Sequence, residues 1–116
     1  MRALVCGGRD YTDTARVFAV LDKLHGEAGI DVIIEGGARG ADACGKEWAF
    51  RRQVECQTFE ADWENQGTFA GPARNARMLN EGRPDLVIAF PGGRGTADMV
   101  RKARRAGVEV VEIAHG

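Results

Sequence analysis

Leu86 to Phe90 is an apolar run with no polar alternation, bounded by Pro84-Asp85 and Pro91-Gly92. Such a run predicts a strand of a parallel sheet covered on both faces. Arg2–Cys6 and Asp31–Glu35 are two more short strand-like runs. Val54–Phe59 alternates instead, with Val54, Cys56 and Thr58 set against Glu55 and Gln57, and predicts a half-exposed edge strand. Val108–Ile113 predicts a fifth strand. Helical spacing fills the gaps. Val17, Val20, Leu21 and Leu24 recur at i, i+3, i+4 and i+7, in a helix capped by Thr12 or Asp13 and ended by Gly26 and Gly29. A second helix is predicted from Ala41 to Arg52, with Ala41, Cys44, Trp48 and Ala49 on one face. A third covers Ala73 to Glu81, with Pro72 near its first position. A fourth runs from Thr96, as cap, to Ala106, with Gly107 at its end. Ala61–Ala70 has no pattern and reads as a loop long enough to suggest function.

Strands alternating with helices predict an α/β fold. It is a three-layer Rossmann-like domain with a five-stranded, mainly parallel sheet, right-handed crossovers and helices on both faces. At 116 residues and 44% hydrophobic content, the expectation is one domain, residues 1–116, with a real core. No apolar run approaches the roughly 20 residues of a membrane span, and Met1-Arg2 opens no signal peptide. The formal charge is −1, so no global basic field recruits nucleic acid. Three cysteines, Cys6, Cys44 and Cys56, form no CxxC pair, which argues against disulfides and a zinc site and fits a reducing cytoplasm. No metal or cofactor is expected.

Three strand ends carry a shared pattern: Gly7-Gly8-Arg9-Asp10, Gly36-Gly37-Ala38-Arg39-Gly40-Ala41-Asp42, and Gly92-Gly93-Arg94-Gly95-Thr96-Ala97-Asp98. In a parallel sheet all three open on one edge, where ligands of such folds bind. Glycines after a strand and before a helix leave backbone N–H groups and the positive end of a helix dipole around one point, which suits an anion. Arg9, Arg39, Arg74 and Arg94 add planar forks that suit phosphate. The expected phosphate site is therefore Gly7, Gly8, Arg9, Gly36, Gly37, Arg39, Arg74, Asn75 and Pro91 through Thr96. Asp10, Glu35 and Asp42 are acceptors for ribose hydroxyls, although Asp42 equally suits a helix cap. Asp98 suits the helix dipole. Trp63 either stacks on a base or anchors its loop.

Gly40-Ala41-Asp42-Ala43-Cys44-Gly45-Lys46-Glu47 nearly spells a P-loop, but Glu47 stands where the magnesium-binding hydroxyl belongs, and the segment lies inside a predicted helix. An ATPase is excluded on that ground. His25 and His115 form no cluster and read as surface residues.

Pro91-Gly92-Gly93-Arg94-Gly95-Thr96 resembles the PGGxGT motif of the SLOG superfamily, which includes the LOG phosphoribohydrolases and the DNA-processing protein DprA. The whole chain is similar to the YspA-type, YpsA-related SLOG family. That pattern rests on the first two glycine loops, Trp48-Ala49, Asp62-Trp63, Ala70-Gly71-Pro72-Ala73-Arg74-Asn75, Met78 and Phe90–Ala97. The resemblance implies binding of a nucleotide or a nucleotide derivative. It also implies a possible homodimer, and some relatives are linked to nucleotide signalling in conflict with phages. LOG enzymes carry a glutamate at the ninth motif position, where this chain has Met99. The LOG arginine corresponds to Arg74.

These observations predict a cytoplasmic sensor or signalling module for a small nucleotide ligand. The alternative is a nucleoside 5′-monophosphate phosphoribohydrolase, with Glu35 or Asp10 as carboxylate and Arg74 as a further catalytic candidate. A DprA-like binder of single-stranded DNA is a third class, and the balanced charge weighs against it.

Overall fold

The computed structural model describes residues 1–115. Its elements run β1 (Arg2–Cys6), α1 (Thr14–Ala28), β2 (Val32–Glu35), α2 (Ala41–Arg52), β3 (Glu55–Thr58), α3 (Trp63–Gln66), a 3-10 turn (Gly67–Phe69), α4 (Ala70–Asn80), β4 (Leu86–Ala89), α5 (Arg94–Arg105) and β5 (Glu109–Glu112). All strand pairs are parallel, in the order β3-β2-β1-β4-β5. The fold is the expected α/β Rossmann-like one.

The sheet's alternation builds two cores. Ala3, Val5, Ile33, Leu86 and Ile88 face one side, where α1 and α2 contribute Val17, Leu21 and Trp48. Leu4, Cys6, Ile34, Val87 and Ala89 face the other, where α4 and α5 contribute Met78, Met99 and Ala103. Because β1, β2 and β4 are buried on both faces, their sequences are continuous apolar runs with no alternation. β3 and β5 are the edges and keep exposed positions. No helix among the described residues is long and apolar enough to cross a membrane.

Several local expectations are corrected. The patternless segment is not a loop. The Asp62 side chain accepts the Asn65 amide and starts α3, which the 3-10 turn joins to α4. α4 begins at Ala70 rather than Ala73, placing Pro72 third, where its missing N–H still falls among the unbonded first four. α5 begins at Arg94, so Thr96 lies inside its first turn, and Gly93 occupies the cap with no side-chain bond. Asp98 is consequently in the second turn rather than at the helix start. Gly26 lies within α1, which continues to Ala28. His25 is not a surface residue: its Nδ1 accepts the Ile30 amide at 2.9 Å and its ring meets Trp48 edge-on at 5.4 Å. Gly45-Lys46 of the P-loop look-alike sits within α2, where Gly45 lets the helix approach Val5 of β1.

Candidate functional site

The strand order reverses between β1 and β4: the chain builds outward through β2 and β3 on one side and through β4 and β5 on the other. Open α/β sheets bind ligands at such a point, beyond the strand carboxyl ends. Here the turns after β1 and β4 are joined, with the Gly8 amide donating to Pro91 O at 2.9 Å. The second glycine loop joins as well, because the Ala41 amide donates to Gly8 O at 3.2 Å. These bonds require close backbone approach. A Cβ on Gly7 would lie 2.6 Å from the Ala41 Cβ, and one on Gly92 would lie 2.7 Å from the Gly8 amide nitrogen.

Above this junction opens a cleft of about 800 Å³, within the usual range for small-molecule sites. Its walls include Cys6–Arg9, Asp42, Trp63, Pro72, Arg74, Asn75, Gly93–Asp98 and Arg101. The α5 N-terminus forms one wall. The first helical bond runs from Ala97 N to Gly93 O, so the amides of Arg94, Gly95 and Thr96 lack an intrahelical acceptor. Unlike their neighbours, Gly93 and Gly95 face open space: a Cβ on either meets nothing within 4 Å.

α4 carries the opposite wall, and its side chains tie the loops together. Arg74 Nη1 donates to Gly36 O at 2.5 Å, while its Nε donates to Asn75 Oδ1 at 3.1 Å. Asn75, buried, donates in turn to Gly95 O at 3.1 Å and Asp98 Oδ2 at 3.0 Å. Burial lowers the Arg74 guanidinium from its ordinary range, with the Asp42 charge acting against that. The guanidinium remains a cation in the cleft wall.

Two carboxylates face the cleft. Asp42, near the start of α2, accepts the Gly36 amide at 3.0 Å and the Ala38 amide at 3.4 Å, so it both lines the cleft and holds the second glycine loop. Burial pushes its carboxyl up to about 6, and the Glu35 charge adds to this, against the two amides and Arg74. Asp98 points into the cleft, where Lys102 and Arg101 also bond it, at 2.6 and 2.8 Å. Burial acts against its charge, but the hydrogen bonds of Lys102 and Asn75 and the nearby cations hold the carboxyl below its usual value. Cys6 lines the cleft as an inert thiol, pushed up to about 12 by burial.

A second cavity of about 480 Å³ adjoins the first, lined by Gly36–Arg39, Glu60 and Ala61 and by Arg9, Trp63 and Arg74. Trp63 is half exposed between the two, and the Arg9 guanidinium lies 5.3 Å from its ring centroid. Gly36, Gly37 and Arg39 therefore line the second cavity and not the first.

Four sequence-derived candidates, Glu35, Asp10, Pro91 and Gly92, lie in neither wall, Gly92 because it packs against Gly8 and Thr96 instead. Glu35 is fully buried and turned inward, accepting Gly37 N at 2.7 Å and bonded by Thr58 Oγ1 and Cys56 Sγ. A carboxylate so enclosed cannot reach a sugar. Asp10 is fully exposed and only loosely paired with Arg39, at 3.8 Å. Pro91 contributes its carbonyl to the junction of the turns. Arg101 and Glu60 were not among the sequence candidates. Arg94, Asp98 and Arg101 follow i, i+4, i+7 spacing from the glycine loop, which is the signal that finds Arg101. Glu60 follows the carboxyl end of β3, on the same sheet edge as the glycine loops.

Residues 1–66 match the model of the YspA, cpYpsA-related SLOG family. The chain is 38% identical over 120 residues to the Gene 61 protein of Mycobacterium phage D29, covering 97% of this chain and 95% of that protein. Its fold matches that of DNA processing protein A (DprA) from Streptococcus pneumoniae, with a TM-score of 0.79 at 20% identity. That match covers 99% of this chain and 50% of the DprA chain, so the protein spans about half of its length, and the likeness is one of fold. By the family match and the phage relative together, the chain belongs to the YspA, cpYpsA-related SLOG family.

Proposed function

We propose that this protein is a nucleotide-binding module, a sensor of a nucleotide or nucleotide derivative whose phosphate sits at the start of α5. The observation that carries this reading is the electrostatics of the larger cleft. Arg9, Arg74, Arg94 and Arg101 line it, together with a helix N-terminus whose two glycines leave open space. The opposing carboxylates, Asp42 and Asp98, are already engaged by amides and by cations. The net field favours an anion, and unbonded amides with planar guanidinium forks suit a phosphate.

Gly93→Val tests the reading. A Cβ at this position meets nothing within 4 Å, so a β-branched side chain enters space that is now empty. Calorimetric titration with AMP, GMP, CMP and UMP is expected to show binding of at least one by the wild type. The variant, with an unchanged circular-dichroism spectrum, is expected to lose it by at least tenfold. Equal affinity in both would remove the phosphate from this loop.

The same geometry separates a sensor from a phosphoribohydrolase. Met99, at the ninth motif position, is fully buried in the core and absent from the cleft wall. Asp98 does face the cleft, but Lys102, Arg101 and Asn75 compensate its charge, which weakens any stabilisation of a ribosyl cation. Chromatography after incubation with the four monophosphates is expected to show no release of free base. Turnover that disappears in Asp98→Asn would establish the enzyme instead.

A further inference from the structure

The two cavities share four residues, Arg9, Ala38, Trp63 and Arg74. They are adjoining chambers of one trough rather than separate sites. The second, at about 480 Å³, is on its own large enough for a small-molecule moiety. Its charged lining is Arg9, Arg39 and Arg74 against the single carboxylate Glu60, so it too favours an anionic ligand that also offers hydroxyl donors. The boundary is itself cationic, because Arg9 and Arg74 belong to both chambers. Trp63 stands at that boundary, half exposed, with Arg9 against its ring, which leaves aromatic surface for a base.

Resting on the phosphate reading of the first chamber, we propose that the physiological ligand is a dinucleotide: two nucleosides joined through phosphate. One phosphate sits at the start of α5. The bridging phosphate lies between Arg9 and Arg74. The second nucleoside enters the smaller chamber, where Glu60 accepts its hydroxyls and Arg39 adds charge. A mononucleotide fills only the first chamber and leaves the arginine-lined second one solvated.

Calorimetry on the whole chain tests this with named probes: the four 5′-monophosphates, the matching linear 5′-phosphorylated dinucleotides, the matching dinucleoside pyrophosphates, and ten-residue single strands of the same bases. At least one dinucleotide is expected to bind tenfold or more tighter than its monophosphate. Whether the linear or the pyrophosphate series shows the gain identifies the bridge. Ala61→Trp fills the second chamber alone and is expected to return the dinucleotide to monophosphate affinity while moving the monophosphate less than twofold. Arg39→Ala, at a side chain 78% exposed, carries no folding risk and is expected to weaken the dinucleotide at least fivefold. Monophosphate binding with no gain for either dinucleotide series overturns the second chamber and leaves the first intact. Equal losses for both ligands in Ala61→Trp also overturn it, as does a single strand that binds more tightly than every dinucleotide. Absence of binding by all probes overturns the phosphate reading along with the proposal.

Discussion

At the ends of β1 and β2 the glycines are crowded. A Cβ on Gly7 would lie 2.6 Å from the Ala41 Cβ, and one on Gly40 would collide with Gly8 O and lie 2.7 Å from the Arg9 carbonyl carbon. At the start of α5, Gly93 and Gly95 meet nothing within 4 Å. The three loops look alike in sequence, yet their glycines serve different physical needs. The crowded ones let three backbone segments meet and bond through Gly8, Pro91 and Ala41. The open ones leave volume beside unbonded amides. The first group is a requirement of the fold, whereas no packing contact requires the second.

The largest effect on that contrast is expected at Gly40. Its φ of +76° is one that side chains rarely adopt, and the atoms a Cβ would strike are backbone. Gly40→Val should cost about 3 kcal/mol or more, and lower the melting temperature by roughly 10 °C or more. A melting temperature within about 3 °C of wild type would remove the distinction between crowded and open glycines.

A smaller effect concerns the carboxylate that holds the second loop. Asp42 is raised to about 6 in the folded protein, above its ordinary 3.8, so the folded state binds its proton more tightly than the unfolded state does. Stability from this group is therefore full below its unfolded value and falls as pH rises towards and through about 6. The melting temperature of the wild type, measured relative to Asp42→Asn, should rise between about pH 7.5 and pH 5. A difference that is flat or reversed over this window would contradict the burial of Asp42 in its ionised state.

The smallest effect is at an open position. Gly95→Ala adds a methyl group into free space near a helix start and should raise stability by about 0.5 kcal/mol. A drop in melting temperature would show that α5 begins in a tighter environment than its geometry indicates.

Much of this fold is legible in the sequence, for a physical reason. Strands buried on both faces cannot alternate, so Leu86–Phe90 and Arg2–Cys6 stand out as runs, and Val54–Phe59 betrays an edge by alternating. Helix starts are less legible. Thr96 and Pro72 are residue types that suit a first turn, but they suit its third position as well as its first, so α5 and α4 begin two and three residues earlier than Thr96 and Ala73 suggest. The Asp62 cap within Ala61–Ala70 was hidden because four-residue α3 is too short to show a period. In the site, the glycine loops and Arg74 were readable as strand ends and a helix start. The direction of a side chain was not. Glu35 and Asp42 both border the second loop, yet one turns into Thr58 and Gly37 and the other lines the cleft. Nothing in the local sequence separates them, because the choice depends on β3 and α4, contributed from elsewhere in the chain.

Phosphate is the group that the proposed ligand presents to the start of α5. The most direct test of this is calorimetric titration of the wild-type protein with a nucleoside and with its own 5′-monophosphate, for each of the four common bases. The expected result is binding of at least one monophosphate with an affinity tenfold or more above that of its nucleoside, since in the proposed mode of binding the phosphate alone engages the α5 amides and the arginines. Equal affinities for the two would place recognition at the base or sugar and contradict the assignment of the α5 N-terminus.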